Sequence, residues 1–374
     1  MKRHVVVAAF LPLLVTGLLY GEPRPYPAYG ESDIPVEPIE YAYGGSDSEI
    51  PAAFGAEERF EAVSKVSSDD LRMPGVKLVT NETYLCTAFP VDTQQTHYLV
   101  GFEALADAKH VHHILLFGCD APGSEDDVWD CGEMSPVASG YAHSPVCDGK
   151  PEIIYAWAKG AAPLELPADV GYRVGAGSKS KILVLQVHYM HEEPKEDFSG
   201  LRVTSTVIPQ SRTAATMLVV TGGTVPAKTT TDFEAACVLD EPIVMHPFAY
   251  RVHTHSHGVH VAGYVVKEDE TTGKDTWTLL GERNPQLPQM FADVANKSAI
   301  IQPGDIIAAR CTMKNDENRN ITVGSTGADE MCNFYIAYYV DGERVLQDNT
   351  CFSPGSPEYT WGSSAGLNHI PKHH

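Results

Sequence analysis

The sequence predicts an all-β protein built from antiparallel sandwiches. Two observations lead there. Short runs rich in Val, Ile, Thr and Tyr recur between Gly, Pro and Asp: 99–102, 181–188, 216–220, 249–253, 259–266, 276–280, 306–310 and 334–340. No stretch between them carries a convincing amphipathic helical period. The 374 residues suffice for two domains of ordinary size. A boundary near Ile208-Pro209-Gln210 gives an N-terminal sandwich over 71–208 and a C-terminal one over 209–355.

Before the first strand the character differs. Met1-Lys2-Arg3-His4 is basic, Val5–Tyr20 is apolar apart from Thr16, and the small residue Gly21 follows. This reads as a signal peptide over 1–21, the run being short for a bilayer; uncleaved, it would be an N-terminal anchor. Residues 22–70 are acidic and rich in Pro and Gly, with the near-repeat Glu31-Ser-Asp-Ile-Pro35 and Asp47-Ser-Glu-Ile-Pro51. Such a segment buries little apolar surface and is expected to be flexible. Residues 356–374 are expected to form a tail.

Composition narrows the function classes. Apolar and charged residues make up 43% and 20%, as in a globular protein, and the formal charge is −22, from 27 basic and 49 acidic side chains. That argues against nucleic acid or an anionic membrane as partner. The eight cysteines contain no C-x-x-C pair, which disfavours a zinc ribbon or thioredoxin-like motif. An even count behind a signal peptide reads as four disulfides formed in the secretory lumen. Four cysteines lie between Cys86 and Cys147 and four between Cys237 and Cys351, so each half is able to close its own pairs. Asn81, Asn296 and Asn320 open glycosylation triplets, as expected of surface loops in a secreted glycoprotein.

The chemistry-bearing stretch is Arg251-Val-His253-Thr-His255-Ser-His257. In an extended strand its three histidines project to one side. Met331, in Asp329-Glu330-Met331-Cys332-Asn333-Phe334-Tyr335, offers a thioether, which suits Cu(I) and not zinc. Core filling is the other role for such a methionine. Against it, Met331, Asn333 and Tyr335 share a strand face that an aliphatic core would not choose. Arg251 lies on the His253 face, where a guanidinium needs either an internal salt bridge or a visiting anion. A second cluster is available from His112, His113 and His188. The adjacent pair reaches one ion only if the backbone bulges or ends there; otherwise one histidine is core and the other surface. Three imidazoles suit copper or zinc. An all-imidazole site as electron relay and a His-His-Met site open to O₂ would divide the work of a copper monooxygenase.

Four separated motifs carry a resemblance: Val111–Cys119, Leu185–Tyr189, Tyr250–His255 and Asp329–Asn333. The segments 71–76, 155–158 and 284–289 add to it. In that order they resemble the copper type II ascorbate-dependent monooxygenases, most nearly the members that act on glycine-extended peptides. The resemblance implies two jelly-roll-like sandwiches with one copper each, facing across a solvent-filled cleft. By position, His112, His113 and His188 would hold the electron-transfer copper, and His253, His255 and Met331 the O₂-activating one. Arg251, Asn333 and Tyr335 match positions that bind the peptide carboxylate, and Gln186 one between the sites. The implied reaction hydroxylates the Cα of a C-terminal glycine with O₂ and ascorbate. A separate lyase would finish the amidation, since 374 residues leave no room for a lyase domain.

The resemblance also implies the bridges Cys86–Cys131, Cys119–Cys147, Cys237–Cys351 and Cys311–Cys332. A further bridge of the family is missing, with Phe198 in the matching place. His257 departs from the pattern too, and would either compete with Met331 or stand behind the metal. The alternatives are a catecholamine-type β-hydroxylase of the same family and a secreted copper-binding protein without catalysis.

Overall fold

In the computed structural model the described residues are 66–106, 109–132, 139–324 and 329–372. The signal peptide and nearly all of the acidic segment lie outside them. Every described element is a strand, and each run named from the sequence falls in one or overlaps it. The first described strand, Val66–Arg72, starts five residues before Leu71 and pairs along its whole length with Gly200–Thr206.

Three sheets make the body. A long sheet runs, in order, Val66–Arg72, Gly200–Thr206, Thr96–Leu105, Val170–Gly175, Arg212–Val225, Cys332–Asp341, His246–His253 and Ala292–Asp293. A five-stranded sheet of Trp129–Asp130, Thr83–Pro90, Ile182–Tyr189, Val111–Cys119 and Glu152–Ala158 covers its first half. A four-stranded sheet of Thr230–Val238, Ile306–Lys314, Gly258–Asp269 and Lys274–Arg283 covers its second half. Leu99, Phe102 and Val203 of the long sheet pack with Leu85, Leu116 and Leu185 in one core. Met217, Val252 and Phe334 pack with Phe233, Val261 and Ile307 in another. Alternation along each strand produces these cores, since odd and even residues take opposite faces.

The halves share more than a linker. Ile208-Pro209-Gln210 lies in the loop between Gly200–Thr206 and Arg212–Val225, yet Val170–Tyr172 pairs in parallel with Arg212–Ala214 and carries the long sheet across. Tyr172 Oη and Thr216 Oγ1 sit 3.1 Å apart at that seam.

All four disulfides are those implied by the resemblance: Cys86–Cys131, Cys119–Cys147, Cys237–Cys351 and Cys311–Cys332. The expected tail is corrected. Trp361, Leu367 and Tyr359 are buried against Ala236, Val266 and Ala308. The Trp361 indole donates to Ala235 O at 2.9 Å under the Arg310 guanidinium, 4.4 Å from the ring centre. An apolar Trp, Leu and Tyr so near the second core return to it instead of trailing in water. His373 and His374 lie outside the described residues.

Two close approaches set which way the strands His246–His253 and Cys332–Asp341 face. A Cβ on Gly263 would come 2.2 Å from the Phe334 ring, and one on Gly281 2.3 Å from Tyr250. Only glycine lets the four-stranded sheet seat these two rings, which stack at 5.6 Å. Their neighbours Arg251, His253, Asn333 and Tyr335 therefore face the other way.

Candidate metal centres

The first cluster forms where the sequence needed an irregularity. On the paired strands Val111–Cys119 and Ile182–Tyr189, His113 stands opposite His188, but Val111 stands opposite Tyr189. His112 is the extra residue of a β-bulge, so both adjacent rings reach His188. His188 Nδ1 lies 3.1 Å from His112 Nδ1 and 3.4 Å from His113 Nδ1. The other His188 nitrogen, Nε2, meets Glu82 Oε2 at 2.8 Å, and Tyr84 stacks on the ring at 3.9 Å. A carboxylate behind a histidine, with the opposite nitrogen aimed at its neighbours, is how proteins orient a metal-ligating imidazole. Glu82 reaches back from a left-handed backbone conformation, φ 53°. The set fits a cation: three ring nitrogens gather within 4.8 Å of one another.

The second cluster is built by two neighbouring strands of the long sheet. His246–His253 runs antiparallel to Cys332–Asp341, with His253 opposite Asn333 and Arg251 opposite Tyr335. Those four side chains share one face. The His253 and His255 rings meet edge-on with centroids 5.2 Å apart. Their Nδ1 atoms are both taken, His253 by Gln289 Oε1 at 2.5 Å and His255 by Asp329 O at 2.7 Å. Gln289 Nε2 donates to Thr254 O and Pro285 O, which leaves its Oε1 to accept. Donation from Nδ1 leaves the Nε2 lone pair of each ring for a metal. Met331 is half-buried and stands outside both cores, its Sδ 3.9 Å from the Asn333 amide. Imidazole and thioether are donor types that suit Cu(I).

The single strand face expected for His253, His255 and His257 is corrected. The strand ends at His253, and the chain turns. Glu330 accepts the amides of His255 and His257, which a ladder would otherwise bind. Both His257 nitrogens are engaged, Nδ1 with Glu330 at 3.0 Å and Nε2 with Glu317 at 3.2 Å. His257 is therefore held by Glu330 and Glu317, behind the turn that carries His255.

Arg251 is 3% exposed. Its Nε donates to Gln289 O at 2.8 Å, and its guanidinium lies 5.1 Å from the Tyr335 ring centre. Among the described residues no carboxylate lies within ion-pair distance of it, so the internal salt bridge is not what satisfies this charge. Asn333 Nδ2 donates to Tyr335 Oη at 3.2 Å, which joins the three in one patch. Gln186 is not brought to that patch; its amide donates to Cys131 O at 3.4 Å. Sequence reasoning passed over Glu82, Gln289 and Glu330. The 284–289 motif contained Gln289, but nothing in its spacing told which partner it meets.

Burial favours the neutral form of His112, His113, His188 and His253. It lowers His188 to about 3, with the His112 charge adding to the effect. It lowers His253 to about 3, helped by Arg251 and His255. His113 is pushed well down by burial, and then by His188, Arg251, His112 and His253, so the charges of the second cluster act on the first. Unfolded, His188 and His253 take up protons near their ordinary value of 6.5; folded, they resist until about 3. Unfolding therefore binds protons in that window, and acid favours it. The metal-free protein is expected to lose stability as pH falls from 6.5 towards 3 and to show no such slope above 7, each ring contributing at most about 1.4 kcal/mol per pH unit. Denaturant midpoints across that range check this; a flat profile contradicts it.

Two family models match this chain. The N-terminal domain of the copper type II ascorbate-dependent monooxygenases matches residues 69–196, and their C-terminal domain matches 212–364. Peptidyl-glycine alpha-amidating monooxygenase B of Xenopus laevis is 40% identical over 306 residues, 79% of this chain and 33% of its own length. Peptidylglycine alpha-amidating monooxygenase of Rattus norvegicus is 38% identical over 77% of this chain and 28% of its own length. Dopamine beta-hydroxylase of Homo sapiens is 26% identical over 76% and 48%. The chain thus spans about a third of the length of the peptidyl-glycine relatives. Both domain matches together cover the two histidine clusters, the methionine and all four disulfides, and on that ground the chain belongs to the copper type II ascorbate-dependent monooxygenases.

Proposed function

We propose that this chain hydroxylates the Cα of the C-terminal glycine in glycine-extended peptides, the first step of C-terminal amidation. One observation carries the reading: a buried Arg251 lies beside His253, Asn333 and Tyr335 with no carboxylate partner among the described residues. Burying a guanidinium without a counter-ion costs several kcal/mol. The terminal carboxylate of a peptide offsets that cost through a charge-assisted contact. A phenethylamine brings no such anion. The relatives support the same choice, at 40% identity for the peptidyl-glycine enzyme of Xenopus laevis against 26% for human dopamine beta-hydroxylase.

On this reading His112, His113 and His188 hold one copper, and His253, His255 and Met331 hold the other. Bound copper supplies one-electron redox chemistry and the activation of O₂. Arg251 binds the carboxylate, and Asn333 and Tyr335 orient it, so the glycine Cα is presented next to His253. Gln289 links the two tasks, since its carbonyl holds Arg251 and its side chain holds His253. One oxygen atom enters the Cα–H bond, and the other leaves as water with two electrons from ascorbate and two protons. A lyase then splits the hydroxyglycine product into amide and glyoxylate. The four disulfides fit an oxidising compartment; the lumen of the secretory pathway is the proposed location. No helix among the described residues is long and apolar enough to cross a membrane.

Ascorbate-dependent O₂ uptake with a glycine-extended peptide, compared with a phenethylamine, tests the reading. Uptake that requires the peptide is expected. Preference for the phenethylamine would favour the catecholamine-type enzyme, and copper binding without uptake on either would favour a non-catalytic copper protein.

A further inference from the structure

We infer that Glu330 is the positioning residue that fixes the distance between the two kinds of ligand in the second centre. The inference rests on the assignment of His255 and Met331 to one copper. Glu330 is buried, with 1% of its side chain exposed. Its Oε1 accepts the backbone amide of His255 and that of Met331, the latter at 2.9 Å. Its Oε2 accepts the amide of His257 at 2.8 Å and meets the His257 ring at 3.0 Å.

One carboxylate oxygen therefore ties together the backbones of a nitrogen ligand and of the sulfur ligand. The two come from segments 76 residues apart in sequence, His255 and Met331. The His255 ring also meets Asp329 O at 2.7 Å and His253 pairs with Asn333, but it is the Glu330 carboxylate that bonds the His255 and Met331 amides themselves; the Met331 Sδ lies 3.9 Å from the Asn333 amide. The Glu330 backbone is itself pinned, its N–H to Thr322 O and its C=O to Gly324 N, each at 2.8 Å. The carboxylate is thus a fixed anchor on a fixed backbone. A glutamine there fills the same volume but brings one N–H₂ group, which donates and does not accept. Whichever way it turns, one of the two amide clusters loses its acceptor.

The full chain is loaded with Cu(I), and copper content, copper affinity and the sulfur contribution to copper X-ray absorption are read in wild type, Glu330→Gln and Glu330→Asp. Wild type is expected to show a sulfur neighbour. Both variants are expected to fold without metal and to keep the all-histidine copper. They are expected to lose the sulfur signal and to hold the second copper about 10–100-fold more weakly, the usual cost of losing a group that orients a ligand. An unchanged sulfur signal and affinity in both variants would overturn the inference. So would failure of both metal-free variants to fold, since the role would then be general and not one of positioning. A wild type without any sulfur signal would instead remove Met331 from the ligand set and overturn the assignment on which this rests.

Discussion

Met331→Ile is expected to leave the fold intact and to reduce peptide hydroxylation more than 100-fold, beyond the roughly 10–100-fold that losing a supporting contact costs. The alternative role, core filling, is testable by the same substitution. Isoleucine is apolar and of similar size, so a core methionine would tolerate it at under about 1.5 kcal/mol. Met331 belongs to neither hydrophobic cluster and directs its sulfur at the Asn333 amide. Isoleucine keeps the bulk and removes the one soft donor. Thermal unfolding of the metal-free variant should match wild type, while O₂ uptake with a glycine-extended peptide collapses. Near-normal turnover would take Met331 out of the ligand set.

Arg251→Gln is expected to act on substrate and not on metal. Truncating one member of a buried, hydrogen-bonded charge pair costs about 2–5 kcal/mol, or roughly 30- to several-thousand-fold in kcat/KM at 1.4 kcal/mol per tenfold. The copper content should be unchanged, because both His253 and His255 are oriented through Gln289 and Asp329, not through Arg251. Arg251→Lys should recover only part of the loss, since an ammonium lacks the planar fork that matches a carboxylate. Steady-state kinetics with a peptide acid and with the same peptide ended in a neutral amide separates the effects. A similar loss on both substrates would contradict carboxylate recognition by Arg251.

The strands were legible because alternation is a short-range signal, and so was the supply of imidazoles and a thioether, which lies in residue identity alone. The ligand role proposed for His112 needs a bulge, and the sequence shows no bulge; only the register against His188 and Tyr189 does. Similarly, three histidines at period two implied one strand face, but a buried carboxylate 73 residues from His257 captured the turn and redirected that ring. Glu82, Gln289 and Glu330 went unread for the same reason. A supporting residue is defined by what it touches across the sheet, and spacing within one segment carries no trace of it. The continuous sheet through Val170–Tyr172 and Arg212–Ala214 is another long-range pairing of this kind. The returning segment at Trp361 held a readable signal, since tryptophan, tyrosine and leucine near a chain end ask for burial.

The proposed chemistry needs two unlike centres in one fold, one of nitrogen ligands and one of nitrogen and sulfur. Titration of the metal-free protein with copper tests it most directly. Binding is expected to saturate at two ions per chain, and His188→Ala is expected to remove one of them while the sulfur-bearing site still fills. Saturation of the unaltered protein at a single ion would contradict the account.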